Sequence, residues 1–218
     1  MENNQQHLDA LQDIRQMMKQ SNRFLSLSGL SGIFAGIYAL IGAYIGINVI
    51  RDFNESLTGT GYRDMDFQFS EAYTHVIIIC VFICAMVLIL SILTALLFSG
   101  RKAKRNGYKL FDHTAWRLMI NMLIPLAAGG IFCISMLYHG GSFILLISPA
   151  MLIFYGLSLV NGSKYTLHDI RYLGCMEIIL GVIATFYLGY GIIFWAIGFG
   201  VLHIIYGAYM WFKYERKY

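Results

Sequence analysis

Six long apolar runs separated by polar connections set the pattern of the chain: about Phe24–Ile50, His75–Ser99, Ala115–Tyr138, Ser142–Val160, Ile170–Gly189 and Gly191–Phe212. Each approaches or exceeds the roughly 20 residues that an α-helix needs to cross a bilayer. None alternates apolar and polar positions in the way of a spanning strand. Hydrocarbon offers no water to open backbone groups, so the runs predict helices. The predicted fold class is an all-α integral membrane protein whose six transmembrane helices occupy 24–218. Ahead of them, Leu8, Leu11, Ile14, Met17 and Met18 recur at spacings of three and four among Gln, Asp, Arg and Lys. That face predicts an amphipathic helix within 1–23, lying on the inner leaflet or packed against a second copy or a partner protein. A signal peptide would instead begin with a short basic region and a brief apolar run.

Charge orients the spans. Of the 16 Lys and Arg residues, only Arg51 and Arg63 fall on one side of the predicted membrane; all the others lie in the N-terminal tail, the second and fourth connections and the C-terminus. By the positive-inside rule both termini are cytoplasmic, and the expected location is a bacterial inner membrane. The outer loop 51–74 is acidic, with Asp52, Glu55, Asp64, Asp66 and Glu71. Asp64 and Asp66 alone supply too few oxygens for a hard cation. The inner loop 100–114 carries the basic run Arg101–Lys109, which suits anionic lipid headgroups; no nucleic-acid role is expected of so short a cluster. Trp116 and Trp211 fall near the inner boundary and Trp195 near the outer one, where amphipathic rings are favoured.

Composition narrows the function. The chain is 58% hydrophobic and 13% charged, against about 25% charged for a soluble domain. That excludes a soluble enzyme and a disordered protein. There is no P-loop, no zinc-protease helix and no nucleophile elbow. Cys80, Cys84, Cys133 and Cys175 are spread over apolar spans, where thiols act as small apolar residues. No catalytic, cofactor-binding or metal-binding residue is assigned, and the protein is expected to be non-enzymatic.

The chain also repeats itself. A shift of 51 residues lays Gly130 on Gly181, Gly140 on Gly191, Ile153 on Ile204 and Tyr155-Gly156 on Tyr206-Gly207. A shift of 145 lays Gly29 on Gly174 and Gly36 on Gly181. The unit is a hairpin that starts and ends inside, giving three parallel hairpins, 24–99, 115–160 and 170–212, and an expected compact bundle with approximate threefold character. Leu173–Trp211 resembles the repeat of the HdeD-type membrane protein family: a Gly-containing apolar helix, a short turn and a helix ending in an apolar-Gly-apolar pattern. The whole sequence also resembles uncharacterised six-span inner-membrane proteins of Bacteroidota. The HdeD-type resemblance implies an association with acid resistance and no established chemistry. The basic inner loop and acidic outer loop depart from that family's pattern.

Glu177 and His203 interrupt the apolar pattern on the two helices of the third hairpin, at depths of about 10 and 14 Å from the inner side. Their counterparts in the second hairpin are Leu126 and Leu152. A carboxyl group in hydrocarbon should face the bundle or a water-filled cavity. A meeting with His203 would give a proton-exchanging pair suited to proton- or small-solute-linked transport. Anchoring by a hydroxyl or by Arg171 would make Glu177 a packing residue instead. Asn121, Tyr155 and Tyr206, at similar depth or towards the inner half, complete the candidate polar site. Two other readings remain: a scaffold that recruits a cytoplasmic partner through the N-terminal helix and basic loop, and an enzyme acting on a lipid or quinone.

Overall fold

The computed structural model describes residues 28–59, 65–105 and 113–215, without the side chains of 56–59 and 65–72. The proposed N-terminal helix and Asp64 lie outside the described residues. Among the described residues there are six helices: α1 (Gly29–Gly59), α2 (Met65–Arg105), α3 (His113–His139), α4 (Ile147–Gly162), α5 (Ile170–Ala184) and α6. The last runs through α-helical Gly191–Trp195, π-helical Ala196–Leu202 and α-helical His203–Tyr214. Five are long and apolar enough to cross a membrane, α4 together with the 3-10 stretch Gly141–Leu146 that leads into it, which marks a multi-pass membrane protein.

The exception is α5. At 15 residues it rises about 22 Å, less than a hydrocarbon core of about 30 Å. The apolar run continues to Gly189, but the helix stops at Ala184. Thr185 turns its hydroxyl back to the Val182 carbonyl at 2.6 Å, and a 3-10 turn, Leu188–Tyr190, follows. Apolar content marks the length of a run and not where its helical ladder ends. The chain still returns level with the start of α4, because a methyl group on Gly191 would stand 3.2 Å from Ser148 Cβ.

The segment expected as an outer loop, 51–74, is mostly helical, because α1 continues to Gly59 and α2 starts at Met65. Residues there such as Glu55 and Glu71 tolerate helix well. Phe53 and Tyr73 hold the two extensions together, with ring centroids 6.1 Å apart. The turn between α3 and α4 is made by its glycines: Gly140 and Gly141 both have positive φ, 64° and 55°, which costs a glycine little.

Packing rests on close backbone approach, because lipid tails are as apolar as Leu and no hydrophobic gain separates helix contact from lipid contact. Helix α1 lies between α2 and α6, α4 lies between α3 and α5, and α6 also borders α4 and α5. The two tightest crossings have the same form. A methyl group on Gly29 would sit 2.6 Å from the Gly207 carbonyl, and one on Gly207 2.7 Å from that of Gly29. Gly156 and Gly174 stand in the same reciprocal relation, at 2.6 and 2.7 Å. Between α2 and α3 no comparable seam forms. The described helices therefore make an open arc, with no α2–α3 seam to complete the expected compact bundle of approximate threefold character. Trp195 is buried against Ala39, Ala43 and Phe199, and so is not an interfacial ring.

Pro125 lies inside α3. It has no N–H to give the Asn121 carbonyl, and hydrocarbon would leave that oxygen bare. Helix α4 covers the defect: Asn161 Nδ2 donates to Asn121 O at 2.8 Å, and Ser158 Oγ to Met122 O at 2.9 Å. Asn161→Ala should lower stability in detergent by about 1 kcal/mol. In a Pro125→Ala background, where the helix regains its own donor, the loss should fall close to zero. Denaturant titration of the double-mutant cycle checks this; equal losses in both backgrounds would contradict it.

Candidate functional site

Helix α5 buries Ile170, Leu173, Gly174, Glu177, Gly181 and Ala184, one stripe at helical spacing. Glu177 belongs to that stripe and is fully enclosed, with 0% exposure. Space for its carboxyl group comes from α6. A methyl group on Gly198 would stand 2.5 Å from Glu177 Oε2, so any larger residue there would displace the carboxylate. Leu152 and Leu180 close the same space.

The π-helical stretch Ala196–Leu202 brings His203 to this point. Such stretches are rare and distort the regular ladder. The His203 backbone N–H bonds the Gly200 carbonyl, so it does not compete for Gly198 O. The imidazole takes that oxygen instead, with Nδ1 3.0 Å from Gly198 O. A carbonyl only accepts, so Nδ1 carries the hydrogen. Nε2 lies 2.8 Å from Tyr155 Oη, and in the neutral ring it accepts from the phenol. Glu177 Oε1 is 3.4 Å from the same Nδ1, within reach of an ion pair and long for a hydrogen bond. Neither Glu177 oxygen has a hydrogen-bond partner among the described residues. Phe199 packs between Tyr155 and Trp195 with tilted rings, the centroids 5.0 and 5.3 Å away.

The expected pair thus meets, and Tyr155 joins it. Tyr206 packs with Tyr155 on Leu159, Ile170 and Leu173, and its buried hydroxyl has no partner among the described residues. Asn121 does not join. Its Nδ2 donates to Arg117 O at 2.8 Å, and its carbonyl serves the Pro125 break. Arg171 is exposed and is not the anchor of Glu177. Gly198 was not singled out by sequence, although it decides whether the carboxyl group fits.

Two ties close the end of the bundle below the site. Asp169, just before α5, accepts from Lys213 Nζ at 2.7 Å and from Tyr214 Oη at 2.9 Å. Glu215 accepts from Gly29 N at 2.9 Å, Ser28 Oγ at 3.2 Å and Lys102 Nζ at 3.0 Å. It caps α1 while holding the end of α2. Burial pushes the Asp169 carboxyl up, but the hydrogen bonds from Lys213 and Tyr214 outweigh it and hold the group below its usual value of 3.8. A depressed carboxylate contributes stability above its unfolded value and loses it as pH falls through its folded one. Wild-type melting temperature should therefore drop below about pH 4, and Asp169→Asn should flatten that part of the profile. Parallel profiles would contradict the tie.

No protein-family model, curated protein or solved structure matches the chain.

Proposed function

We propose that this is a non-enzymatic inner-membrane protein for proton- or small-solute-linked transport, with Glu177 and His203 as its proton-exchanging pair. One observation carries the reading. A fully buried carboxyl group has two oxygens without hydrogen-bond partners among the described residues, and its Oε1 lies 3.4 Å from an imidazole that is itself bonded to a phenol. A residue kept for packing alone would be expected to have its oxygens satisfied, since an unpartnered buried acceptor is costly. A group that gives and takes a proton needs an acceptor beside it and freedom to change its bonding.

Three further parts of the reading have their own support. The excess of Lys and Arg at the Lys213 end supports a cytoplasmic location for that end. Arg101, Lys104 and Arg105 are exposed there, available to anionic lipid headgroups. The matched crossings, Gly29 with Gly207 and Gly174 with Gly156, fall at positions related by the shifts of 145 and 51 residues, which supports descent from a repeated hairpin. In that register Glu177 replaces Gly32, and His203 replaces Leu152.

The test is proton flux in proteoliposomes under an imposed pH gradient. Wild-type protein should dissipate the gradient faster than empty vesicles, and Glu177→Gln, which keeps the side chain's shape, should return the rate to that of empty vesicles. Equal rates for wild type and variant would overturn the proton-pathway reading and leave Glu177 a packing residue.

A further inference from the structure

Resting on the proposed proton exchange at Glu177, we infer that protons reach this carboxyl group from one end only, the Asp169 end, along a column formed by Tyr155 and Tyr206. The column follows from the spacing of α6. His203, Tyr206, Met210, Lys213 and Tyr214 fall at intervals of three and four and so share one face of that helix. The first of them bonds Tyr155 Oη, and the last two bond Asp169. Tyr206 stands between. It packs with Tyr155 on the apolar cluster that includes Ile170, the residue next to Asp169.

The groups that act electrostatically on Tyr206 are Asp169 and, on its own helix, Lys213 and Tyr214, with Tyr155 facing it from α4. Around Glu177, α6 supplies His203 and α4 supplies Tyr155. The Tyr206 hydroxyl is buried and unbonded among the described residues. It is the one member of the column with no structural bond to explain it. Each of its two gaps is longer than a hydrogen bond, and a water molecule or a turn of the phenol must bridge it.

Among the described residues the opposite direction offers no buried titratable side chain. Towards the Gly191 end, α5 presents Leu180, Gly181 and Ala184, α6 presents Gly198 and Trp195, and α4 presents Leu152 and, at its start against Gly191, the hydroxyl of Ser148. The buried Trp195 Nε1–H is unpartnered among the described residues. An indole donates only and has no lone pair with which to receive a proton and pass it on.

One passage moves a single proton and breaks no other bond. Tyr155 gives its hydroxyl proton to His203 Nε2 and takes one from the Tyr206 side. The imidazolium then gives the Nδ1 proton to Glu177 Oε1. This leaves Nδ1 bare beside the Gly198 carbonyl, two lone pairs facing each other, so the ring must exchange its tautomer before the next proton. Release to the other end would need a second arrangement of the helices, and the π-helical stretch with Gly198 and Gly200 is the weakest part of α6 for such a change.

The probe is the proton, and the readout is the infrared carbonyl band of protonated Glu177, identified by its loss in Glu177→Gln. Vesicles of uniform orientation are given a pH jump on one side at a time. The wild-type band should follow a jump on the Asp169 side much faster than one on the opposite side. Tyr206→Phe keeps the ring packing and removes only an unbonded hydroxyl. It should leave the melting temperature unchanged and slow the response from the Asp169 side by about ten-fold or more. An unchanged rate in Tyr206→Phe, or a faster response from the opposite side, would overturn the column while leaving proton exchange at Glu177 intact. A band that responds to neither jump would remove the proposed function itself.

Discussion

Enclosing a carboxyl group inside an apolar helix bundle requires both space and polar company, and lipid supplies neither. Here both come from how closely α4, α5 and α6 approach. Gly156 and Gly174 let α4 and α5 cross with their backbones in contact, which turns the Glu177 stripe away from lipid. Gly198 leaves the volume in which the carboxyl group sits. A methyl group at any of these three positions would have to displace backbone or the carboxylate itself. The glycines thus do for the site what a hydrophobic core does in water: they determine which surfaces meet.

A second regularity concerns the backbone. At two places where a helix departs from its regular ladder, a side chain from a neighbouring turn or helix meets the exposed carbonyl. Asn161 and Ser158 meet the break at Pro125, and the His203 imidazole meets Gly198 O within the π-helical stretch. The first case is repair. The second does more, because fixing Nδ1 as the protonated nitrogen also orients Nε2 towards Tyr155 and brings the ring edge to Glu177. Irregular backbone in α6 and the polar site are one feature.

Much of this was legible in the sequence. Five of the six spans follow from apolar length, and the α3–α4 turn from Gly140-Gly141. Glu177 and His203 stood out because they break an otherwise apolar pattern on adjacent antiparallel helices. What the sequence concealed was local geometry. Residues 186–190 are apolar but not α-helical: α5 ends where the Thr185 hydroxyl turns back to the Val182 carbonyl, and a 3-10 turn follows. The charged segment after Ile50 is helical, because polarity marks exposure and says little about helix. Asn121 looked like a site residue by depth alone; its carbonyl, not its amide, has the structural task, and Pro125 four residues later was the signal. Gly198 was hidden among the many glycines of the spans, since nothing in a sequence shows which glycine faces a carboxyl group. The open seam between α2 and α3 likewise lies beyond the repeat, whose matches at shifts of 51 and 145 fall in spans other than the second.

The account depends most on the meeting of Glu177 with His203, and solid-state NMR on bilayer-reconstituted protein tests it directly. With the Glu177 carboxyl carbon and the His203 ring nitrogens labelled, the account predicts a strong dipolar coupling from the carboxyl carbon to Nδ1, in keeping with the 3.4 Å approach of Oε1. It also predicts a neutral ring protonated on Nδ1. A carboxyl carbon without coupling to either nitrogen, or a ring protonated only on Nε2, would contradict it.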